Sequence, residues 1–172
     1  MSNISIIGTG NMARTIGERA IAGDNTVEVT GRDQSKAAGL AEGLGGGATT
    51  GEFGAAPAGD IVIVALPYAD VVPVVAQYGE ALAGKVIVDI SNPFNSEADG
   101  LAIPDDTSIA QEVDKAAPAS ASVVKAFNTI FGVVLAQGRP LDVFIAGDDA
   151  RAKGAWRSSS KASICAHWMS VA

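Results

Sequence analysis

The decapeptide ISIIGTGNMA at residues 4–13 decides the fold, because it has the pattern of a buried strand that passes through a glycine turn into a helix. Gly8 permits the sharp turn, Gly10 lets a diphosphate approach the backbone, and Ala13 lets the helix pack closely on the strand. The helix dipole and the first N–H groups favour an anion there. The alternative is an ordinary glycine-rich turn. The residues that we expect at a dinucleotide are Gly8, Thr9, Gly10, Asn11, Met12 and Ala13.

Apolar runs alternate with helical patterns along most of the chain, which is typical of a parallel α/β sheet. Strands are expected at residues 3–8, 26–30, 48–50, 60–66, 85–90, 122–127 and 141–146. Helices are expected at residues 11–22, 35–44, 69–82, 108–116 and 130–137, with a loop at 91–106. The pattern predicts a Rossmann-type, doubly wound and mainly parallel sheet as a dinucleotide-binding domain over residues 1–150.

Composition narrows the functional class. A chain of 172 residues with 48% hydrophobic residues and a mean hydropathy of +0.26 suits one domain with a large core. The net charge of -7 argues against nucleic acid as the main partner. No apolar run reaches the roughly 18 residues of a membrane span, and no secretion signal is visible. The single Cys165 excludes an internal disulfide and predicts a cytoplasmic protein.

The composition changes near Gly154, so residues 151–172 are expected to form an atypical C-terminal tail. Apolar periodicity fades there, and the tail holds Trp156, Cys165, His167 and Trp168, which include the only Cys and the only His of the chain. The tail is either a functional appendage or the product of a missing or replaced C-terminal part, for instance by a shifted reading frame. The abrupt change in amino-acid composition favours a missing or replaced C-terminal part.

The end of the second strand indicates which nucleotide binds. A carboxylate at that tip would accept bonds from the ribose of NAD, but Glu28 precedes the tip and its side chain alternates to the other face. The tip residues Thr30, Gly31 and Arg32 offer a hydroxyl, a close backbone and a guanidinium, which suit the 2′-phosphate of NADP(H).

Two charged residues follow this tip. Lys36, one helical turn on, adds positive charge, whereas Asp33 competes for Arg32 as an ion-pair partner. Solvated surface cations are the alternative. We expect NADP(H) rather than NAD(H).

Three further strand ends converge where ligands bind in open α/β sheets. Leu66 and Pro67 are expected to wall the cofactor, and Tyr68 is either a proton donor or an aromatic that only packs. Asn92 and Asn128 carry amides suited to the nicotinamide carboxamide.

Lys125 is the one cation in an apolar strand, and it either lines the pocket or reaches the surface along its stem. No residue cluster predicts a metal site, and no nucleophile is paired with a His and an acid, so the catalytic residues stay unassigned. Hydride transfer requires orientation and water exclusion rather than a nucleophile.

Six segments resemble the NADP oxidoreductases that depend on coenzyme F-420, and are similar to the reductase domain of the STEAP metalloreductases. These segments are GTGNM at 8–12, TGRD at 30–33, LPY at 66–68, SNP at 91–93, VKAFNT at 124–129 and AGDD at 146–149. The first is shared with pyrroline-5-carboxylate reductases, whereas the segment at 124–129 is more specific.

The resemblance implies NADP(H) across the carboxyl edge of the sheet, with Thr30 and Arg32 at the 2′-phosphate and Asn128 near the nicotinamide. It implies hydride exchange with a flavin or deazaflavin as the small-molecule electron acceptor. Members of this family continue with a helix, a strand and a helical part that helps hold the acceptor and often a homodimer. These elements are not recognisable here from about Gly154. A non-catalytic NADP(H)-sensing module and an imine or pyrroline-carboxylate reductase are the competing hypotheses.

Overall fold

The computed structural model describes residues 1–139, 141–160 and 165–170. The strands are β1 (Asn3–Ile7), β2 (Thr26–Thr30), β3 (Thr49–Thr50), β4 (Ile61–Val64), β5 (Val86–Asp89), β6 (Ser122–Ala126), β7 (Leu141–Ala146) and β8 (Cys165–Ser170). The helices are α1 (Asn11–Ala22), α2 (Gln34–Leu44), α3 (Tyr68–Tyr78), α4 (Ile109–Ala116), α5 (Gly132–Leu135) and α6 (Ala150–Ser160).

These strands form one sheet in the order β3-β2-β1-β4-β5-β6-β7-β8. Strands β1 to β6 are parallel, β7 is antiparallel to β6, and β8 is parallel to β7. The chain builds outward from β1 to β3 and then returns to the other side of β1 with β4. The strand order therefore reverses between β1 and β4, which is where a doubly wound sheet binds its ligand. The Rossmann-type, mainly parallel sheet that the sequence predicts is confirmed.

Both faces of the sheet are covered, and the apolar runs of the central strands follow from that burial. On one face, Ile6 and Ile63 belong to a core cluster with residues of α1, α2, α5 and α6. On the other face, Ile7 and Val64 belong to a cluster with residues of α3 and α4. Successive residues of a strand thus enter opposite cores.

Most element boundaries agree with the sequence patterns within two or three residues, but two helices are shorter. The helix expected at 69–82 ends at Tyr78, because Gly79 adopts a positive φ of 47° and a short 3-10 turn, Gly79–Leu82, follows. The helix expected at 130–137 is reduced to α5, since Phe131 is still extended and Gly138 has a φ of 71°.

The fold continues beyond Asp148 into the region that lacks a clear apolar pattern. Helix α6 inserts Trp156 into the first core with no exposed surface, and its ring lies 5.6 Å from that of Phe127, edge to face. Strand β8 extends the sheet beside β7. The sequence did not predict α6 or β8. Helix α6 packs on the first core mainly through Trp156, and it has no repeated apolar pattern that would reveal it. The tail residues 161–164 and 171–172 lie outside the described residues.

Candidate functional site

The turn after β1 requires glycine. Gly8 has a φ of 133°, and a Cβ atom there would lie 2.3 Å from the carbonyl oxygen of Ala65. Its N–H donates to the carbonyl oxygen of Thr30 at 2.8 Å. The ends of β1, β2 and β4 therefore converge on one residue that has no side chain, and any Cβ would push these strand ends apart.

The start of α1 presents backbone donors beside this turn. Gly10 is the extended N-cap residue; no side chain caps the helix there, and a Cβ at Gly10 would meet no atom within 4 Å. Ala13 is fully buried beneath the turn, whereas Asn11 is exposed and Thr9 and Met12 are half-buried. Open space in front of uncapped N–H groups at the positive end of a helix fits a diphosphate.

Thr30 is the last residue of β2. Its side chain is buried, and its hydroxyl oxygen lies 3.1 Å from the hydroxyl of Tyr78 at the end of α3. Either hydroxyl can be the donor of this bond, which ties the end of β2 to the end of α3. The sequence alone did not predict this contact. Gly31 follows Thr30, where a Cβ would lie 2.9 Å from the Cγ2 atom of Thr9, so the two loops approach closely only because residue 31 is glycine.

Two exposed cations lie at the tip of β2. The guanidinium of Arg32 pairs with Asp70 of α3 at 3.0 Å, not with Asp33 as the sequence suggested. Asp33 instead caps α2 by accepting the Lys36 N–H at 3.1 Å, and its other oxygen lies 3.8 Å from the Lys36 ammonium. Exposed pairs of this kind contribute about 0–1 kcal/mol, so an incoming phosphate can displace them.

These residues enclose a cavity of about 190 Å³ whose lining is Gly8, Thr9, Gly31, Arg32, Asp33, Lys36, Phe53 and Leu66. Sequence reasoning did not find Phe53. Its ring packs edge to face on Tyr78, with 5.4 Å between ring centroids. The only signal was its place in the loop after β3, which ends at the same edge of the sheet. The cavity thus has a cationic rim and an aromatic wall suited to a phosphorylated adenosine.

Glu28 points away from this cavity, as its alternation in β2 predicts. Its carboxylate accepts hydrogen bonds from the Ser5 hydroxyl and, at 2.9 Å, from the Ala58 N–H. The tip of β2 therefore presents Arg32 rather than this carboxylate to the cavity.

On the far side of the edge, the side chain of Asn92 contacts the backbone of Asn128. The side-chain amide of Asn92 donates to the backbone carbonyl of Asn128 at 2.6 Å. Phe127, just before Asn128, is buried at a positive φ of 60°, so the chain turns sharply at the end of β6. Pro67 and Tyr68 begin α3 nearer the centre of the sheet, where Pro67 is exposed and Tyr68 half-buried.

Lys125 forms a buried ion pair, which neither sequence interpretation included. Its ammonium lies 2.6 Å from a carboxylate oxygen of Asp89, a residue with no exposed surface, and it also donates to the Ser91 carbonyl. The other oxygen of Asp89 accepts the Ser91 N–H at 2.9 Å. Burial lowers the pKa of Lys125, and the charge of Asp89 offsets part of that effect.

Lys125 also borders a larger cavity of about 920 Å³, between α4 and the end of β7. Among the described residues, no group of three His, Cys, Asp or Glu side chains is arranged to hold a metal ion. Within the same part of the chain, no helix has the length and apolar character that crossing a membrane requires.

The parallel sheet, the glycine turn at its switch point and the cation-rimmed cavity define a Rossmann-type dinucleotide-binding protein. The family model for NADP oxidoreductases dependent on coenzyme F420 matches residues 3–93, which is more than half of the chain. The chain belongs to this family.

Two curated relatives agree with that assignment. The F420-dependent NADP reductase of Methanocaldococcus jannaschii is 34% identical over 106 residues, covering 58% of this chain and 47% of its own length. The metalloreductase STEAP3 of Rattus norvegicus is 31% identical over 154 residues, covering 87% of this chain and 30% of its own length. The chain thus spans less than half the length of either relative.

A solved structure shows the same fold over nearly the whole chain. The crystal structure of a proposed F420-dependent NADP reductase from Arthrobacter sp. FB24 has a TM-score of 0.84 and 24% identity. The match covers 99% of this chain and 85% of that one.

Proposed function

We propose that this protein exchanges a hydride between NADP(H) and a flavin or deazaflavin acceptor. The observation that carries the proposal is the pairing of an uncapped, glycine-bordered helix start with a cavity rimmed by Arg32 and Lys36. The family assignment supports NADP(H) as the cofactor, and the name of the Methanocaldococcus jannaschii relative supports a deazaflavin acceptor.

The first step is recognition of the phosphorylated ribose. Arg32 would grip the 2′-phosphate with its planar guanidinium after leaving Asp70, and Lys36 would add a second positive charge. Hydrogen bonds from Ser5 and Ala58 hold the Glu28 carboxylate away from the cavity, so it would not compete for the ribose hydroxyls. The N–H groups at the start of α1 would hold the diphosphate between this cavity and the centre of the edge.

The second step is orientation of the reacting ring. When bound, NADPH would donate a hydride from its nicotinamide ring, and NADP+ would accept one there. Asn92 and Asn128, joined by their hydrogen bond, would hold the carboxamide, while Leu66 and Pro67 wall one side. Direct hydride transfer needs close approach and exclusion of water, so no side chain has to exchange a proton with the cofactor.

An acceptor with a flat ring system has apolar surface available at this edge. Phe94 and Leu101, in the loop after β5, are 51% and 54% exposed. Phe131 and Val133, after β6, are 78% and 76% exposed. Exposed apolar side chains grouped near a binding edge favour a ligand or partner with an apolar face.

Cofactor choice is tested by titrating the protein with NADPH and with NADH. A charge-assisted bond to the 2′-phosphate is worth about 1.5–3 kcal/mol, so Arg32→Ala is expected to weaken NADPH binding by about 10- to 100-fold and leave NADH binding unchanged. Lys115→Ala, on α4, is the matched control and should change neither constant. Tighter binding of NADH than of NADPH by the unaltered protein would contradict the cofactor assignment.

The reaction is tested separately by following NADPH oxidation through its near-ultraviolet absorbance with FMN, FAD and coenzyme F420 as acceptors. Turnover with at least one of them is expected. Tight NADPH binding without turnover with any of the three would contradict hydride exchange and favour a non-catalytic NADP(H)-binding module.

A further inference from the structure

We infer that the buried pair of Lys125 and Asp89 is a positioning device that fixes Asn92 and Asn128 at the nicotinamide end of the site. The inference rests on the proposed function, because it assigns a role within that same site. Neither residue is expected to touch the cofactor; both would act through the loop backbone that they hold.

The geometry of the pair connects two strand ends. Asp89 and Lys125 are directly paired residues of the parallel strands β5 and β6. One oxygen of Asp89 lies 2.6 Å from the Lys125 ammonium, and the other accepts the Ser91 N–H at 2.9 Å. Lys125 also donates to the Ser91 carbonyl. Both backbone polar groups of Ser91 are therefore bound by this one pair.

Ser91 transmits this restraint to the amides. Asn92 is the next residue, and its side chain donates to the Asn128 carbonyl at 2.6 Å. Asn128 follows Lys125 by three residues, across the sharp turn at Phe127. The ion pair, Ser91, Asn92 and Asn128 thus form a closed ring of contacts that returns to the strand carrying Lys125. A shift of the loop after β5 would have to break the charge-assisted hydrogen bonds of Ser91. A shift of the loop after β6 would have to break the bond between Asn92 and Asn128.

Stability alone does not explain these charges. Two pairs earlier, the side chains of Ile87 and Val123 lie on the same face of β5 and β6, where Ile87 belongs to the second core and Val123 packs against it. Replacing a buried ion pair by well-packed apolar residues is often neutral or stabilising. Another Ile–Val pair would continue the core at this position, so the charged pair is best explained by what it holds in place.

Within the part of the chain that the structure describes, the pair forms no hydrogen bond or ion pair with residues of the adenosine side of the site. Lys125 and Asp89 contact each other and the backbone of Ser91. Arg32 pairs with Asp70, and Lys36 pairs with Asp33. Loss of the pair is therefore expected to impair the nicotinamide end selectively, while a general loss of structure would impair both ends.

The test uses two nucleotides that differ only at the far end: NADPH and 2′-phospho-ADP-ribose, which lacks the nicotinamide. Their dissociation constants are measured for Lys125→Met and for the double variant Asp89→Asn/Lys125→Met. Lys125→Met leaves Asp89 unpaired and could unfold the protein for that reason. The double variant removes both charges at nearly constant volume, so it tests the positioning role even in that case. The matched control is Lys85→Met, which removes the other strand-bordering lysine, paired with Asp60 at 3.7 Å at the opposite edge of the sheet.

We expect the double variant to bind 2′-phospho-ADP-ribose as the unaltered protein does. The factor by which NADPH binds more tightly than 2′-phospho-ADP-ribose should fall by about tenfold, which is equivalent to about one hydrogen bond. Single-turnover hydride transfer should slow by more than NADPH binding weakens. Transfer from stereospecifically deuterated NADPH should lose its preference for one face. Lys85→Met should change none of these.

The inference is overturned by a double variant that is folded and retains normal NADPH affinity, transfer rate and facial preference. It is also overturned by equal weakening of both nucleotides, which would indicate a general structural role. Unaltered protein that binds neither nucleotide would refute the proposed function, and the positioning role with it. Normal binding by unaltered protein without turnover would refute only hydride exchange, since the two dissociation constants still test the positioning role.

Discussion

The two ends of the candidate site are built in different ways. At the adenosine end, glycine backbone and exposed cations form the site, with the side chains of Arg32 and Lys36 61% and 72% exposed. At the nicotinamide end, Asp89 is fully buried and the Lys125 side chain is only 15% exposed. The adenosine end consists of loops close together in sequence and of exposed charges that are available to a ligand. The nicotinamide end depends on a buried network between strands 36 residues apart in sequence. We therefore expect mutations to affect binding and orientation of the nucleotide separately.

The largest expected effect tests the buried end. Lys125→Met should lower the free energy of unfolding by about 3–5 kcal/mol, because it leaves the Asp89 charge buried without its partner. Urea unfolding measures this, and adding Asp89→Asn should recover most of the loss. Lys85→Met, whose partner Asp60 is exposed, should cost about 1 kcal/mol or less. Equal losses for the two lysines would contradict the contrast between buried and exposed charges.

A glycine pair sharpens the contrast within the adenosine end. Gly8→Ala should destabilise the fold by about 2–3 kcal/mol, because its positive φ and the contact with the Ala65 carbonyl both exclude a Cβ. Gly10→Ala should change stability by about 1 kcal/mol or less and weaken NADPH binding, since its Cβ would enter the space in front of α1. Urea unfolding and NADPH titration of both variants check this. A stable Gly8→Ala protein would show that the turn is wrongly described.

Alkaline pH should separate stability from activity. Burial lowers the pKa of Lys125 below its ordinary value of 10.5, so the native protein loses this proton at lower pH than the unfolded chain does. The unfolded chain then holds more protons in that window, and the contribution of Lys125 to the free energy of unfolding rises with pH. The hydride-transfer rate should fall over the same window, because the neutral amine no longer pairs with Asp89.

The measurement is the pH dependence of urea unfolding and of single-turnover transfer. Both trends should disappear in the Asp89→Asn/Lys125→Met variant. The other charged groups beside Lys125 in the larger cavity are Asp106, Glu112, Asp114, Lys115, Asp148 and Asp149. Among them, the hydrogen bond between Lys115 and Glu112 lowers the pKa of Glu112 and raises that of Lys115, and the Ser122 hydroxyl lowers the pKa of Asp149. A transfer rate that stays constant up to pH 10.5 would count against the role of the ammonium.

The smallest expected effect concerns the partner of Arg32. Asp70→Asn removes an exposed ion pair worth about 0–1 kcal/mol, and it frees the guanidinium for the 2′-phosphate. NADPH binding should tighten by up to about fivefold, and NADH binding should not change. Isothermal titration at low and high salt checks this, since screening should reduce the gain. Weaker NADPH binding by this variant would mean that Asp70 holds Arg32 in its binding position.

The sequence predicted the local structure at the adenosine end of the candidate site, because residues that are neighbours in the chain form it. The stretch at 4–13 contains the strand, the turn and the helix start together, so its glycines, Ala13 and the direction of the chain could be read directly. The alternation of Glu28 in β2 also followed from a local period. In contrast, the contact of the Thr30 hydroxyl with Tyr78 could not be predicted from a local pattern, because Tyr78 is 48 residues away.

Contacts between distant elements account for the other differences. The pairing of Arg32 with Asp70 depends on where α3 starts, which a sequence pattern does not give. Phe53 lines the cavity through a loop whose course no local period determines. Trp156 closes the first core from a helix without a repeated apolar pattern, and the pairing of Asp89 with Lys125 requires the register of two strands.

A crystal structure of the protein with NADPH bound tests the central claim most directly. We predict a diphosphate within hydrogen-bonding distance of the N–H groups that begin α1, the 2′-phosphate on Arg32 in place of Asp70, and the nicotinamide beside Asn92 and Asn128. Crystals saturated with NADPH in which the glycine turn holds no diphosphate, or in which the nucleotide lies elsewhere, would contradict the account.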